Sequence, residues 1–428
     1  MKYFLSILLL VLLLPMSVSA ADSLDGLVKE ALQNNPDLKA AESRWHMFER
    51  KIIPASSLDD PMLSFAFVNY PTDSFAAGDT PMTGKDFKLS QKFPFPGKLG
   101  TKGEIAEQKA LWYKGAYDDL KLQLTRKVKD AWYRLFYLDR AVAITNKNIS
   151  ILDDFIRLTE TRYQVGTGIQ QDVLKAQVER SKLMDQLFTL QQQRKTVQAD
   201  LDSLLNRPTE TPIETPEIVP VTKVEQPLPE LQSISEQKRP LFAAFQSIVD
   251  RYKAKRKLAK LEYKPDFNLW GGYRFREEAG NDPVDGQDFA SIGISINLPI
   301  YLDKRDEAVA EADSGIRMAL QQYHEFRNRV SFNIHDAFVQ MEKDHDLVLL
   351  YKTGIVPQAD QTFKASLAAY QVGDVEFLSL LDALLKLYSY EMDYYRVLAD
   401  HERDVARLEA ESGLRFRAVE KMDTKPQP

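Results

Sequence analysis

The second half of this chain restates its first, and that constrains the fold more than any other feature. Pro36 and Pro61 answer to Pro240 and Pro265, each 204 positions on. Pro94 answers to Pro299 at a shift of 205, and Asp130-Ala131-Trp132 to Asp336-Ala337-Phe338 at 206. Tyr163-Gln164-Val165-Gly166 reappears as Tyr370-Gln371-Val372-Gly373 at 207. Chance matches scatter, whereas an offset that creeps upward is what duplication with small insertions leaves. Two copies of one design are therefore expected, over residues 21–206 and 240–413. Between them, in the connector 207–239, Arg207 to Glu230 carries Pro208, Pro212, Pro216, Pro220, Pro227 and Pro229. Proline at this density forbids regular helix and predicts an extended segment.

Each copy reads helix, two strands, long helix, helix. A short helical stretch (Leu24 to Ile52; Pro240 to Tyr263) leads into segments of period-2 alternation near 61–70, 85–93, 265–276 and 287–298. Leu63, Phe65 and Phe67 alternate with Ser64, Ala66 and Val68, and Ile292, Ile294, Ile296 and Leu298 with Ser291, Gly293, Ser295 and Asn297. These are strands with one apolar and one polar face, about the length of a tilted transmembrane strand. A soluble sheet packed on a core would alternate in the same way. Here, however, no other sheet or short helix is available to cover the apolar face. Four strands cannot close a barrel, and lipid does not tolerate open edges, so a membrane location requires several chains.

A proline-free run from about 98 to 163 follows the first strand pair. Leu124, Val128, Ala131, Leu135, Leu138, Val142, Thr145, Ile149, Leu152 and Ile156 keep an unbroken 4-3 spacing, the seam of a coiled coil. Its repeat spans about 303–371. The partner helices (about 169–205 and 375–411) carry matching stripes: Leu183, Leu187, Leu190, Val197, Leu201 and Leu204, with Arg194 interrupting, and Leu378, Leu381, Leu385, Tyr388, Met392, Tyr395 and Ala399. Glycine-bearing turns at Val165-Gly166-Thr167-Gly168 and Val372-Gly373-Asp374 reverse the chain. Each half is thus a long antiparallel helical hairpin with two strands at its far end.

At the N-terminus, Met1-Lys2, the apolar run Phe4 to Leu14, Pro15 and the small residues Val18-Ser19-Ala20 read as a secretory signal peptide over 1–20, cleaved before Ala21. The apolar run is too short to span a bilayer. The sequence has no cysteine, so neither disulfides nor a lipidated cysteine is expected. No later apolar stretch reaches the length of a membrane-spanning helix, which excludes an inner-membrane transporter. A net charge of −6 gives no basis for a nucleic-acid partner. Residues 414–428 form a polar tail.

The signal peptide, the duplicated hairpins, the repeated Tyr-Gln-Val-Gly motifs and Leu381-Asp382-Ala383 together resemble the TolC-like outer-membrane efflux proteins, over essentially the whole mature chain. The resemblance implies a mainly α protein with a small transmembrane β part. Its homotrimer would place four strands per protomer in one twelve-stranded barrel and continue through the periplasm as an α-barrel. It implies no enzyme activity and no cofactor. The implied partners are a periplasmic adaptor protein, an inner-membrane pump and outer-membrane lipid. The implied adaptor-contact tips are Val165, Gly166 and Thr167, and Val372, Gly373 and Asp374; many relatives have leucine where Thr167 and Asp374 stand. Asp382 matches one of the acidic rings that constrict the closed entrance, and Ser379 stands where a second acidic residue often lies. Asp172 and Tyr370 match positions linking neighbouring helices in the closed state, whereas the arginine completing that network is Val375 here. Phe93-Pro94-Phe95-Pro96-Gly97-Lys98 is similar to a motif of the heavy-metal branch.

Other signals are weaker. Gly97, Gly100 and Gly103 do not have the spacing of a dinucleotide-binding loop. His324, His335 and His345 lack an accompanying metal-ligand motif. Tyr70, Trp270, Tyr273 and Tyr301 are candidates for an interfacial aromatic girdle. Two other functions fit the same pattern: the exit channel of a type I protein-secretion system, and a periplasmic coiled-coil scaffold.

Overall fold

The computed structural model describes residues 23–416; the signal peptide and most of the polar tail lie outside them. The first helical stretch is three pieces, α1 (Leu24–Asn34), α2 (Pro36–Glu49) and α3 (Ile52–Ser56). Pro36 causes the first break by forcing Asn35 into an extended conformation. Asn35 Oδ1 then accepts from Leu38 N (3.1 Å), so one residue ends α1 and caps α2.

Four strands, β1 (Met62–Val68), β2 (Gly84–Phe93), β3 (Phe267–Phe275) and β4 (Phe289–Ile296), form one antiparallel sheet in chain order. The register sets Leu63 opposite Leu89, Phe65 opposite Phe87, Phe87 opposite Tyr273, and Leu269 opposite Ile294, so the large apolar side chains share one face. That face is bare: Leu63 is 73% exposed and Ile292 82%. The other face is polar, with Ser64, Lys88, Gly272 and Ser291 in line and an Asp86–Arg274 ion pair (2.6 Å). Trp270 belongs to this polar face, under the Lys88 ammonium (4.3 Å), and therefore not to a lipid-facing girdle. Its indole fits only because residue 293 is glycine; a Cβ there would sit 2.4 Å from the ring.

The rod α4 (Lys98–Gln164) has 67 residues, which at 1.5 Å each span about 100 Å. Leu124, Val128, Leu135, Thr145, Ile149 and Leu152 are buried along its seam. The returning helix α5 (Gln170–Leu205) buries Leu183, Leu187, Leu190, Val197 and Leu201 against it. The interrupting Arg194 is answered across the hairpin, its Nε donating to Asp139 Oδ1 (2.5 Å) and Nη1 to Gln198 Oε1 (2.7 Å).

The connector departs from the sequence reading, because α6 (Leu228–Lys238) is regular helix. Pro227 is its N-cap and Pro229 lies in its first turn, where backbone N–H groups have no intrahelical acceptor to lose. Two buried polar clusters pin the connector. Glu402 accepts from Thr222 N (2.6 Å), Thr222 Oγ1 (2.7 Å) and Tyr133 Oη (3.3 Å). Arg239 pairs with Asp119 (2.7 Å) and Glu411 (2.5 Å).

The second copy continues with α7 (Pro240–Leu261), and its rod differs from the first. After α8 (Leu302–Leu350), Tyr351–Ile355 is a π-turn before α9 (Val356–Val372). Pro357 is the cause, since its ring cannot donate to the carbonyl four residues back and the wider turn relieves the clash. The final helix α10 (Phe377–Ser412) buries Phe377, Leu380, Leu381, Leu384, Tyr388 and Met392. Leu378, expected in this seam, is 53% exposed.

The helices lie side by side as a wall. In the half nearer the strands α4 packs on α2 and α3 on one side and α7 on the other, with α8 beyond α7. In the half nearer the turns the order is α5, α4, α10, then α8 and α9.

Candidate functional site

The end of the molecule away from the sheet is built by the two helix reversals. In the first, Gly166 adopts φ 76°, and Thr167 N and Gly168 N both donate to Arg162 O (2.9 and 3.0 Å). In the second, Gly373 adopts φ 91°, and Asp374 N donates to Ala369 O (2.9 Å). A left-handed residue after the last helical turn satisfies carbonyls that would otherwise lack donors, which is why glycine stands at both places. Val165 (67% exposed) and Val372 (73%) project from the turns as bare apolar side chains. Thr167 and Asp374 are exposed beside them.

Arg162, which sequence reasoning did not single out, ties the turns together. Its Nη2 donates to Gln371 O (2.9 Å), and its guanidinium lies 4.5 Å from the centroid of the Tyr370 ring. Val375, at the position of the expected arginine, is half-buried against the core. An arginine from the other hairpin therefore holds Tyr370. The only sequence signal was position, since Arg162 immediately precedes the repeated Tyr-Gln-Val-Gly motif.

Tyr370 is buried, with Phe377 packed against its ring (5.7 Å between centroids). Burial raises its hydroxyl pKa; the Arg162 charge opposes that shift and the Asp172 charge adds to it. Asp172, in the first turn of α5, is itself shifted up by burial, with Lys175 opposing and Glu376 reinforcing. The structure thus brings Asp172, Tyr370 and Arg162 into one electrostatic neighbourhood drawn from both hairpins. Asp382 and Ser379 lie apart from it, on the exposed stripe of α10. Asp382 forms an i,i+4 ion pair with Lys386 (2.8 Å), which offsets its charge within the protomer.

Among the described residues no group of three or more His, Cys, Asp or Glu side chains is arranged to hold a metal ion, and no helix is long and apolar enough to cross a membrane. The His345 ring lies tilted against that of His401 (5.7 Å between centroids), beside buried Glu402.

Residues 27–207 match the family model described as "Outer membrane efflux protein". The cobalt-zinc-cadmium resistance protein CzcC of Cupriavidus metallidurans is 29% identical over 175 residues, a match covering only 40% of each chain. The outer membrane efflux protein BepC of Brucella suis is 23% identical over 400 residues, covering 90% of this chain and 84% of that one. The outer membrane protein VceC of Vibrio cholerae superposes with a TM-score of 0.76 at 18% identity, over 92% of this chain and 96% of that one. The paired hairpins and the four-stranded sheet thus have the fold of solved outer membrane proteins, and the match to the outer membrane efflux protein family covers residues 27–207, essentially the first of the two copies.

Proposed function

We propose that three copies of this chain close into one outer-membrane barrel continuous with a periplasmic helical tunnel. The assembly is the passive exit duct of a tripartite efflux system, and it uses no energy and no cofactor of its own. The observation that carries this reading is the sheet. Its apolar face is uncovered, its polar face carries charge, and its outer strands β1 and β4 each leave one edge without a partner among the described residues. Lipid tolerates such edges only when other copies pair with them.

The wall of helices supports the same closure. Its free sides carry apolar stripes, with Leu174, Val178 and Phe188 on α5 facing away from α4, and Phe332 and Val339 on α8 facing away from α10. Side by side in a ring, the stripe on one copy covers that of the next. A scaffold in the aqueous periplasm would leave the sheet face in water. The turns, with Val165 and Val372 bare, are the surface we assign to the adaptor, and an inner-membrane pump supplies the energy. The exposed stripe bearing Ser379 and Asp382 is assigned to the tunnel entrance. Residues 1–20 direct export and are removed.

The cargo class is small molecules or metal ions, the similarity to CzcC favouring ions. Extraction from outer membranes in mild detergent followed by planar-bilayer recording tests the proposal. A trimer with discrete conductance steps is expected. A monomer that washes off membranes and gives no steps would replace the duct with the scaffold.

A further inference from the structure

The helix face just below the sheet carries positive charge that acids answer only at its upper end. On α4, Lys98, Lys102 and Lys109 recur at helical spacing and share one stripe. The upper end of that stripe joins the polar sheet face. Lys98 Nζ donates to Asp266 Oδ1 (2.8 Å) and Glu262 Oε2 (3.2 Å), and Asp266 also faces Lys92 (3.8 Å), on the same side of β2 as Lys88. With the apolar sheet face toward lipid, that side is the interior of a closed barrel.

Lys109 lies about 16 Å further along the helix. There it meets Lys51, from the bend between α2 and α3, and Arg251 and Lys255 from α7. These four cations rest on rings. Lys51 and Lys109 Nζ lie 4.9 and 4.3 Å from the Phe48 centroid, and Arg251 and Lys255 lie 5.3 and 4.9 Å from that of Tyr252. None of them has an ion-pair partner among the described residues, and Arg251 Nε is buried without an acceptor. Burial, then repulsion from Arg251, Lys51 and Lys255, pushes the Lys109 ammonium pKa down. Of the nearby acids, Glu262 and Asp266 are engaged by Lys98, and Glu311, which lines one cavity with Tyr252 and Lys255, forms no ion pair with Lys255. Crowded like charges without counter-charge raise the free energy of the empty site, and a bound anion lowers it.

We propose that Lys51, Lys109, Arg251 and Lys255 form an anion-binding collar lining the upper tunnel, where solutes bearing phosphate or carboxylate groups dwell in transit. The inference rests on the trimeric conduit, which sets three such clusters around one axis.

The test is single-channel recording of the purified protein with inorganic tripolyphosphate as probe. Wild-type current is expected to be blocked, and the block relieved by raised salt. Replacing Lys51, Lys109 and Lys255 together by Gln should weaken the block by roughly tenfold or more, the loss of charge-assisted contacts, while K109R/K255R keeps it. Conducting trimers that tripolyphosphate does not block, or that it blocks equally in the Gln variant, overturn the collar and leave the conduit standing. Binding to phosphatidylglycerol vesicles that the Gln variant loses, without channel block, places the cluster on the outer surface and also overturns it. A preparation with neither trimer nor conductance overturns the conduit itself.

Discussion

Removing the Glu402 carboxylate should release the connector from the rods. Glu402 is 2% exposed and lies where three parts of the chain meet: α4 through Tyr133, the connector through Thr222, and α10 itself. In Glu402→Ala the Thr222 N–H, the Thr222 hydroxyl and the Tyr133 hydroxyl all lose their acceptor. Each unsatisfied buried group costs about 1–3 kcal/mol, and partial relaxation brings the expected total to roughly 3–5 kcal/mol. Glu402→Gln keeps one oxygen for Thr222 N–H, and its amide can donate to hydroxyls that rotate to accept, so about 1–2 kcal/mol is expected. Denaturant unfolding of the detergent-solubilised protein gives the ranking, and limited proteolysis within 207–227 reports connector release at temperatures where the rods remain helical. A Glu402→Ala protein within about 0.5 kcal/mol of wild type, or a Gln variant as damaged as the Ala variant, would refute the claim that this carboxylate pins the connector.

Three further outcomes follow from named contacts. Burial and the neighbouring Asp344 push the Asp404 pKa up to about 6 from its ordinary 3.8, against the opposing charges of Arg407 and Arg403. The native state therefore binds that proton more tightly, and stability falls as pH rises from about 4 to about 6; Asp404→Asn should gain roughly 1–3 kcal/mol at pH 7–8 and nothing near pH 4, as read by unfolding at each pH. Arg162→Ala removes both the Gln371 carbonyl contact and the Tyr370 ring contact, so the second turn should become more protease-sensitive and the channel should open more often in bilayer recordings; an unchanged open probability and cleavage rate would count against the tie. Gly293→Ala drives a Cβ into the Trp270 indole, at a cost of about 1–3 kcal/mol read by thermal unfolding, and Trp270→Ala in the same chain should restore the lost stability.

The parts of the fold legible in the sequence were those carried by local period. The 4-3 spacing of Leu124 to Leu152 and the alternation of Leu63, Phe65 and Phe67 repeat along one element, and the element alone decides which residues share a face. What failed depended on where a proline fell. Pro229 looked as disruptive as Pro212, yet it stands in a first turn and costs nothing, whereas Pro357 inside the second rod forces a π-turn that its counterpart lacks. Leu378 failed for another reason. A seven-residue pattern admits two adjacent stripes, and only the packing of α10 on two neighbours chooses the stripe through Phe377, Leu380 and Leu384.

For the candidate site, the left-handed glycines could be found because the motif occurs twice, and Asp382's lysine partner could have been, since Lys386 lies at the i+4 spacing that pairs charges on a helix. Arg162 on Tyr370 could not be found in this way. Its partners lie more than 200 positions away, and Val375 stands where the resemblance places an arginine. The cluster of Lys51, Lys109, Arg251 and Lys255 is illegible for the same reason. Lys51 stands at a bend and Lys109, Arg251 and Lys255 on two helices, and the shortage of counter-charge exists only where these elements converge. A net charge of −6 conceals this, because a sum over the chain does not record where charges converge in space. In a duplicated chain, shared period carries the architecture, whereas contacts between the halves, such as Arg162 on Tyr370, depend on residues distant in sequence. Lys51 over Phe48 and Lys255 over Tyr252 repeat at the shift of 204 and so belong to both copies, whereas Arg162 answers to Ala369 and has no counterpart that comparing the halves could find.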